Sequence, residues 1–265
     1  MPGIGVAHLS ALELPPIAFA RHAALAGFTS IGLRLHPAMP GGQSYPLHCA
    51  SAEIRELKRV LADSPVAVAD IEFIALLPDI DVPRLQWMLH TGAELGARSL
   101  TVSGDDSDRQ RLTDNFAQLC ELAAPFGLRI DLEFMRWREV ADLPDALAVV
   151  HGAAQPNGAV LVDALHLYRS GGDAAQVAAV PRGLIAAVQL CDAPRQAPPS
   201  ALIIQEAREG RLAPGYGQLP LAELLAALPT PVALSVEMPA PQLAVGERLA
   251  LAYGATVELL ARSTR

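Results

Sequence analysis

Short apolar runs alternate with longer amphipathic segments along the whole chain. Eight of these runs are rich in the branched residues that are typical of buried strands. They are Ile4 to Leu9, Ser30 to Leu35, Val66 to Ile74, Ser99 to Ser103, Leu128 to Glu133, Val160 to Asp163, Ile185 to Leu190, and Val232 to Glu237. Their spacing is roughly the 25 to 45 residues that a strand and a crossover helix require. The pattern therefore predicts a repeated βα unit.

The segments between the runs carry the periodicity of surface helices. In AEIRELKRVLAD the apolar side chains of Ile54, Leu57 and Leu61 fall on one face of a helix. Several such segments end in a glycine that is followed directly by a strand-like run, as at Gly27 and Gly127. Glycine readily adopts the left-handed conformation that ends a helix, so these positions predict helix C-termini.

Eight βα units with no break in composition predict an α/β fold, a single-domain (β/α)8 TIM barrel that spans residues 1–265. About 250 residues is the usual size of such a barrel. An open doubly wound sheet is the competing architecture. No Gly-rich dinucleotide fingerprint follows the first strand, and no phosphate-binding loop with Lys and Ser or Thr occurs in the chain.

Composition and charge narrow the classes of partner. The formal charge is −8, so no basic surface is expected for a nucleic acid backbone. No apolar stretch is long enough for a membrane span, and the start has no positively charged leader. We therefore expect a cytoplasmic protein that acts on a small molecule, without nucleic acid or membrane as partner. An apolar, acidic barrel of this kind often dimerises, and a homodimer is one expectation for its assembly.

Four strand-like runs in the second half of the chain end on a polar residue that can bind a metal. These residues, here called the ligand group, are Glu133, Asp163, Gln189 and Glu237. An unpaired charge at the end of a buried strand costs several kcal/mol. In a parallel barrel all strands end at the same face, so the four side chains are expected to converge.

One divalent cation is the simplest shared partner for three carboxylates and an amide oxygen. An all-oxygen ligand set favours Mg²⁺ or Mn²⁺, with Co²⁺ and Zn²⁺ as alternatives. We therefore predict a metal site formed by the ligand group at the carboxyl-terminal face of the barrel.

The order of these residues resembles that in the xylose isomerase-like TIM-barrel superfamily of sugar isomerases and epimerases. The resemblance rests on Glu133, then Asp163-Ala-Leu-His166, then Gln189-Leu-Cys-Asp192, then a Pro-Gly-x-Gly turn, and finally Glu237. It implies one divalent ion held by the ligand group, with Gln189 in place of a common histidine. It further implies that Glu133 and Glu237 exchange a substrate proton, and that His166 contacts substrate oxygens and assists proton movement.

The same resemblance implies an arginine that binds substrate hydroxyl or carboxylate groups. Arg208, upstream of the Pro-Gly turn, is the preferred candidate, and Arg195 competes with it for the role. A guanidinium suits two-point recognition of oxygen groups.

The resemblance implies isomerisation or epimerisation of a sugar, keto-sugar or polyol through an enediolate. A dehydratase of the 3-dehydroshikimate type is the alternative, slightly favoured by Gln189 and Arg208. The complete ligand group argues against a third interpretation, a degenerate barrel with a binding or scaffold role. An apurinic endonuclease would need extra histidine ligands and a basic face, which the charge of −8 does not supply.

Overall fold

The computed structural model describes residues 3–263 and shows a closed barrel of eight parallel strands in sequence order. The strands are β1 (Ile4–Val6), β2 (Ser30–Arg34), β3 (Ala67–Leu76), β4 (Ser99–Gly104), β5 (Arg129–Glu133), β6 (Gly158–Asp163), β7 (Ile185–Leu190) and β8 (Ala233–Val236). Strand β1 pairs with β8 as well as with β2, which closes the barrel. The predicted single-domain (β/α)8 TIM barrel is confirmed.

Ten α-helices cover the outside of the barrel or connect its strands within residues 3–263. They are α1 (Pro16–Ala26), α2 (Ala52–Ala62), α3 (Gln86–Leu95), α4 (Arg109–Ala123), α5 (Leu143–Ala153), α6 (Ala164–Arg169), α7 (Ala174–Ala178), α8 (Ile203–Glu209), α9 (Leu221–Ala227) and α10 (Val245–Ser263). None of these helices combines the length and apolar character that a membrane crossing needs.

Local sequence signals set the limits of the helices. Helix α1 ends at Gly27, whose φ of 104° only glycine adopts without strain. The side chain of Ser51 accepts a hydrogen bond from the backbone N–H of Ile54 and begins α2. Asp142 caps α5 in the same way through the N–H of Asp145. These caps satisfy backbone donors that the helix itself leaves unpaired.

The strand predictions differ from the structure by two or more residues at three ends, one of which is the start of β6 at Gly158 instead of Val160. Strand β1 stops at Val6 because the chain turns into a short 3-10 helix from His8 to Ala11. Strand β3 runs on to Leu76, two residues beyond its predicted end. Strand β7 has the predicted limits, Ile185–Leu190.

The two faces of the strands differ in polarity. Outward-facing residues such as Ile31, Leu33 and Val162 are fully buried and belong to the apolar core between barrel and helices. Many of the alternate, inward-facing positions are polar or small, and they include Ser30, Gly32, Arg34, Asp70, Glu72, Ser99, Thr101, Ser103, Asp131, Glu133, Asp163, Gln189 and Ser235. The barrel interior is therefore largely polar, and the core that stabilises the fold lies outside the strands.

A cavity of about 570 Å³ lies inside the barrel near the amino-terminal ends of the strands. Small residues such as Gly5, Gly32 and Ala187 line it, and its upper limit includes Gln189. A methyl group at Gly32 would lie 2.7 Å from Oδ2 of Asp70, so the close approach of β2 and β3 here requires glycine. The predicted metal site lies at the other, carboxyl-terminal end of the strands.

Candidate functional site

The structure brings the ligand group together at the carboxyl-terminal end of the barrel. Glu133 and Asp163 are the last residues of β5 and β6, Gln189 is the penultimate residue of β7, and Glu237 follows β8 directly. Asp163 is in register with Gln189 on the neighbouring strand. All four side chains are buried, with at most 5% of their surface exposed. The convergence follows from the parallel topology, because each strand delivers its end to the same face.

Asp163 both ends β6 and begins α6. Its Oδ1 accepts a hydrogen bond from the backbone N–H of His166 at 2.9 Å, which is the usual role of an aspartate at a helix N-terminus. The turn buries His166 beside Glu133, with 3.7 Å between Nε2 and Oε1. Glu133, Asp163 and His166 thus present ligand atoms that lie within 4.8 Å of one another.

Gln189 is oriented toward Glu237 through its amide nitrogen. Nε2 donates to Oε1 of Glu237 at 3.4 Å, a long hydrogen bond. The amide oxygen of Gln189 is buried and has no hydrogen-bond partner among residues 3–263. A buried carbonyl oxygen without a donor is uncommon in proteins, and it marks a point where a ligand or cation would fit.

An arginine that the sequence analysis did not select lies among these carboxylates. The side chain of Arg211 is 1% exposed. Its Nη1 is 2.5 Å from Oδ2 of Asp163, and its Nη2 is 2.8 Å from Oε2 of Glu237. Nη2 is also 3.5 Å from Nε2 of His166. One guanidinium therefore bridges the ends of β6 and β8.

The chain holds Arg211 in this position from two sides. Nε donates to the carbonyl of Ala207 in α8 at 2.8 Å. Leu212, the next residue, exchanges two backbone hydrogen bonds of 2.8 Å with Asp192, directly after β7. The backbone next to Arg211 is consequently anchored to the barrel although it lies on a long connection.

Arg208, the predicted substrate arginine, occupies a different environment. It is exposed on α8, whereas Arg211, three residues later, is buried among the carboxylates. Arg195 is exposed as well. Both arginines precede Pro214 of the Pro-Gly turn, Arg208 by six residues and Arg211 by three, and the sequence context does not separate them. The structure gives no support to Arg208 as the arginine of the site.

Burial and mutual repulsion shift the titration of these groups. Burial raises the pKa of Glu133 well above its usual value, and the nearby charges of Glu237 and Asp163 raise it further. Burial raises the pKa of Glu237 to about 7, although the Arg211 guanidinium acts in the opposite direction. Burial acts to raise the pKa of Asp163. The Arg211 guanidinium and His166, whose backbone N–H donates to this carboxylate, outweigh burial and hold the pKa below its usual range.

His166 is neutral in this environment. Burial lowers its pKa to about 4, and the positive charge of Arg211 contributes to the same direction, while Asp163 acts against it. The imidazole packs edge-on against Trp137, with 5.0 Å between ring centroids. A neutral imidazole beside a carboxylate can accept or donate a proton during a reaction.

The first half of the barrel adds a second charged pair to the same end. Nε of Arg34, at the end of β2, is 3.4 Å from Oε1 of Glu72 on β3. Both side chains are buried, and neither of these two atoms has a hydrogen bond within the part of the chain that the structure describes. His8 lies beside them, because its Nδ1 accepts the backbone N–H of Arg34 at 2.9 Å.

The ligand group fits a divalent cation. Its three carboxylates carry up to three negative charges, and Arg211 is the cation in direct contact with them among the described residues. The free oxygen of Gln189 supplies a fourth oxygen of the kind that hard cations bind. Burial is the main cause of the raised pKa values of Glu133 and Glu237, and the negative charges of neighbouring carboxylates add to it.

Comparison with known proteins agrees with the fold. The family described as "xylose isomerase-like TIM barrel" matches residues 20–261. A curated 3-dehydroshikimate dehydratase from Pseudomonas aeruginosa is 36% identical over 116 residues. That match covers 43% of this chain but only 18% of the relative, so most of the relative has no counterpart in the aligned stretch.

Two solved structures illustrate the similarity in fold. A xylose isomerase-like TIM barrel/4-hydroxyphenylpyruvate dioxygenase fusion protein matches with a TM-score of 0.81 and 22% identity. The match covers 98% of this chain and 43% of the fusion protein. An L-ribulose 3-epimerase matches with a TM-score of 0.74 and 18% identity, over 100% of this chain and 96% of the epimerase. At these identities the likeness establishes the fold alone.

Proposed function

This chain belongs to the xylose isomerase-like TIM barrel family, and from that membership we propose that it is a metal-dependent dehydratase of a hydroxylated ring ketone that carries a carboxylate, as in 3-dehydroshikimate. The observation that carries the proposal is the buried ligand group with the unpartnered oxygen of Gln189. Sequence reasoning alone favoured a sugar isomerase or epimerase. The 36% match to a dehydratase is the reason that we place the dehydratase before the isomerase or epimerase.

Glu133, Asp163, Gln189 and Glu237 are the residues that would hold the cation. When bound, a divalent ion polarises a carbonyl oxygen and stabilises the negative charge that develops when a neighbouring carbon loses its proton. The oxygen-only ligand set favours Mg²⁺ or Mn²⁺.

Glu237 is the proposed base. Its pKa of about 7 leaves a large fraction of the carboxylate ionised near neutral pH, which suits proton abstraction. The carbon–hydrogen bond beside the carbonyl breaks, and the proton passes to a carboxylate oxygen of Glu237. The bonding electrons move toward the carbonyl and give it a negative charge.

Glu133 and His166 form the proposed acid side of the site. Nε2 of His166 and Oε1 of Glu133 are 3.7 Å apart, which is longer than a hydrogen bond, so proton exchange between them requires the two groups to move closer. The electrons on the carbonyl then return to form a carbon–carbon double bond as the bond from the neighbouring carbon to its hydroxyl breaks, and the leaving oxygen takes a proton from this pair and departs as water. A proton shift from a ring carbon to the carbonyl oxygen then makes the ring aromatic. The proton that Glu237 holds returns to Glu133 and His166 through solvent, so the residues are unchanged overall.

Arg211 is the proposed orienting residue for oxygen groups of the substrate. Its guanidinium is fixed by the Ala207 carbonyl and lies beside His166. A guanidinium in a buried site binds carboxylate or hydroxyl oxygens at two points, which restricts the pose of the ring. The role that the resemblance gave to Arg208 is thus proposed for Arg211.

Isomerisation or epimerisation of a sugar remains a second candidate, because Glu133 and Glu237 approach from strands β5 and β8 and are separated by two strands of the barrel. Two carboxylates on different sides of a substrate can remove and return a proton at different positions. The L-ribulose 3-epimerase match is consistent with this candidate.

Proton NMR in D₂O separates the two candidates. The purified protein, loaded with Mn²⁺ or Mg²⁺, is incubated with 3-dehydroshikimate and, separately, with a panel of ketoses; the Mg²⁺ form is used for the spectra. The dehydratase proposal expects new aromatic signals from the ring acid and no deuterium in the ketoses. Deuterium incorporation into a ketose without loss of water would instead establish the isomerase or epimerase.

A further inference from the structure

We propose that Arg211 is an exchangeable counter-ion of the metal site: its guanidinium neutralises the ligand carboxylates when no cation is bound, and a divalent cation must displace it from at least one of them. The inference rests on the proposed metal-dependent function and goes beyond it, because it assigns to one arginine the control of metal affinity.

The first argument is the identity of the oxygen atoms involved. One oxygen of each carboxylate is already bound to a neutral N–H group: Oδ1 of Asp163 by the His166 backbone, and Oε1 of Glu237 by the Gln189 amide. The other oxygen of each faces Arg211, at 2.5 and 2.8 Å. A cation that binds both carboxylates through these second oxygens would have to share them with the guanidinium or replace it.

The second argument is charge. A cation bound by the ligand group would lie close to a guanidinium that has almost no exposed surface. Two positive charges a few ångströms apart, shielded from water, repel each other strongly at the effective dielectric constant of a protein site. The ligand group must therefore bind the cation against this repulsion, and metal affinity is lower than the carboxylates alone would give.

The third argument is that Arg211 can be displaced locally. One side of the guanidinium is held by the Ala207 carbonyl at the end of α8, a helix of seven residues on a long connection. The other side-chain contacts of Arg211 are with the carboxylates, the backbone carbonyl of Glu237, His166 and Cys191, and each joins a group at the ligand site. A rotation of this side chain breaks these contacts without disturbing a strand of the barrel.

The test is a measurement of Mn²⁺ affinity by isothermal titration calorimetry, with the full chain, at pH 8. Arg211→Met keeps much of the side-chain volume and removes the charge. We expect this variant to bind Mn²⁺ at least tenfold more tightly than wild type, and to have a lower melting temperature than wild type without metal. The increase in melting temperature on adding Mn²⁺ should accordingly be larger in the variant.

Two further variants control for a merely structural role. Arg211→Lys retains a positive charge and should bind Mn²⁺ more weakly than Arg211→Met. Arg169→Met removes another buried arginine, which pairs with Glu206 at 2.7 Å and not with the ligand group. It should lower stability without tightening Mn²⁺ binding.

The results also separate this inference from the proposed function. If wild type binds one Mn²⁺ and Arg211→Met binds it equally or more weakly, the counter-ion role is wrong while the metal site stands. If neither wild type nor Arg211→Met binds Mn²⁺, the metal-dependent function is wrong and the counter-ion role is overturned with it. Binding by Arg211→Met alone would support the counter-ion role and remove the support for a metal in the native protein.

Discussion

The two ends of the barrel both bury carboxylates on the inner face, but they balance this charge in different ways. At the amino-terminal end Asp131, which is fully buried, accepts two hydrogen bonds of 2.5 and 2.8 Å from Arg129 on the same strand. At the carboxyl-terminal end the three carboxylates of the ligand group share Arg211. The Asp131–Arg129 pair is complete, whereas the ligand group has an excess of negative charge.

The difference shows how structural charges and functional charges can be told apart. A buried carboxylate that serves the fold is paired by a neighbouring residue, because an uncompensated charge costs several kcal/mol. The ligand group leaves part of its charge and the Gln189 oxygen without a partner among residues 3–263. In the proposed function a cation would compensate this charge.

Glu237→Gln should have the largest effect, because it removes one carboxylate from the ligand group. We expect kcat/KM to fall on the order of a thousandfold, the contribution of a positioned proton-transfer group. Metal content should fall below one ion per chain. Steady-state kinetics on the substrate identified by NMR and elemental analysis measure the two quantities, and retention of both would remove the proposed distinction between the ends.

Arg129→Met breaks the Asp131–Arg129 pair, and it should lower stability without lowering metal content. It leaves Asp131 buried without its partner, so the free energy of unfolding should fall by about 3 kcal/mol. Urea denaturation measures this loss. Metal content should stay at one ion per chain, and a variant that lost its metal without losing stability would contradict the assignment of Arg129 to the fold.

His8 differs from the ligand group, although it is also a buried titratable residue at the carboxyl-terminal end. Both of its ring nitrogens have a hydrogen-bond partner. Its Nε2 is 3.0 Å from the Leu14 carbonyl and its Nδ1 accepts the Arg34 N–H, which together define the neutral ring. Burial lowers the pKa of His8 to about 3, and the charge of Arg34 contributes to the same direction, although the Leu14 carbonyl acts against it.

The sign of the pH effect follows from these values. The unfolded chain binds a proton near pH 6.5, but the folded protein does not until about pH 3. The contribution of His8 to stability is therefore complete above pH 6.5 and is lost as the pH falls. Between pH 7.5 and pH 5 it should amount to about 2 kcal/mol. Denaturant titrations at the two pH values should show that His8→Gln has the smaller drop, and an equal drop would show that His8 is charged in the folded protein.

Arg208→Ala should have the smallest effect. Arg208 is exposed on α8, so its removal should change kcat/KM, Mn²⁺ affinity and stability by less than about twofold or 0.5 kcal/mol. Kinetics and calorimetry beside Arg211→Met provide the comparison. A large loss in Arg208→Ala would restore the role that the sequence resemblance gave to this residue.

The barrel and the ligand group could be predicted because both depend on local patterns. Branched apolar runs and glycine-ended helices indicated the eight strands, and parallel topology brings their ends together. Gln189 was informative for the same reason, since an amide at the end of a buried strand needs a partner. The convergence of these four side chains was thus encoded at strand ends, and their role as a site stays a prediction.

Arg211 could not be predicted in this way. It lies on the long connection after β7, where no periodicity applies, and its position depends on the Asp192–Leu212 backbone pairing and on α8. Two arginines three residues apart, Arg208 and Arg211, read alike in the sequence. Only the fold shows that one is exposed and the other is buried against two carboxylates.

A crystal structure of the protein soaked with Mn²⁺, with anomalous diffraction from the metal, tests the central claim most directly. The account predicts one anomalous peak per chain at the carboxyl-terminal end, within about 2.2 Å of oxygens from Glu133, Asp163, Gln189 and Glu237. A peak at the amino-terminal cavity near Asp70 and Asp131, or no peak among the ligand group, would contradict it.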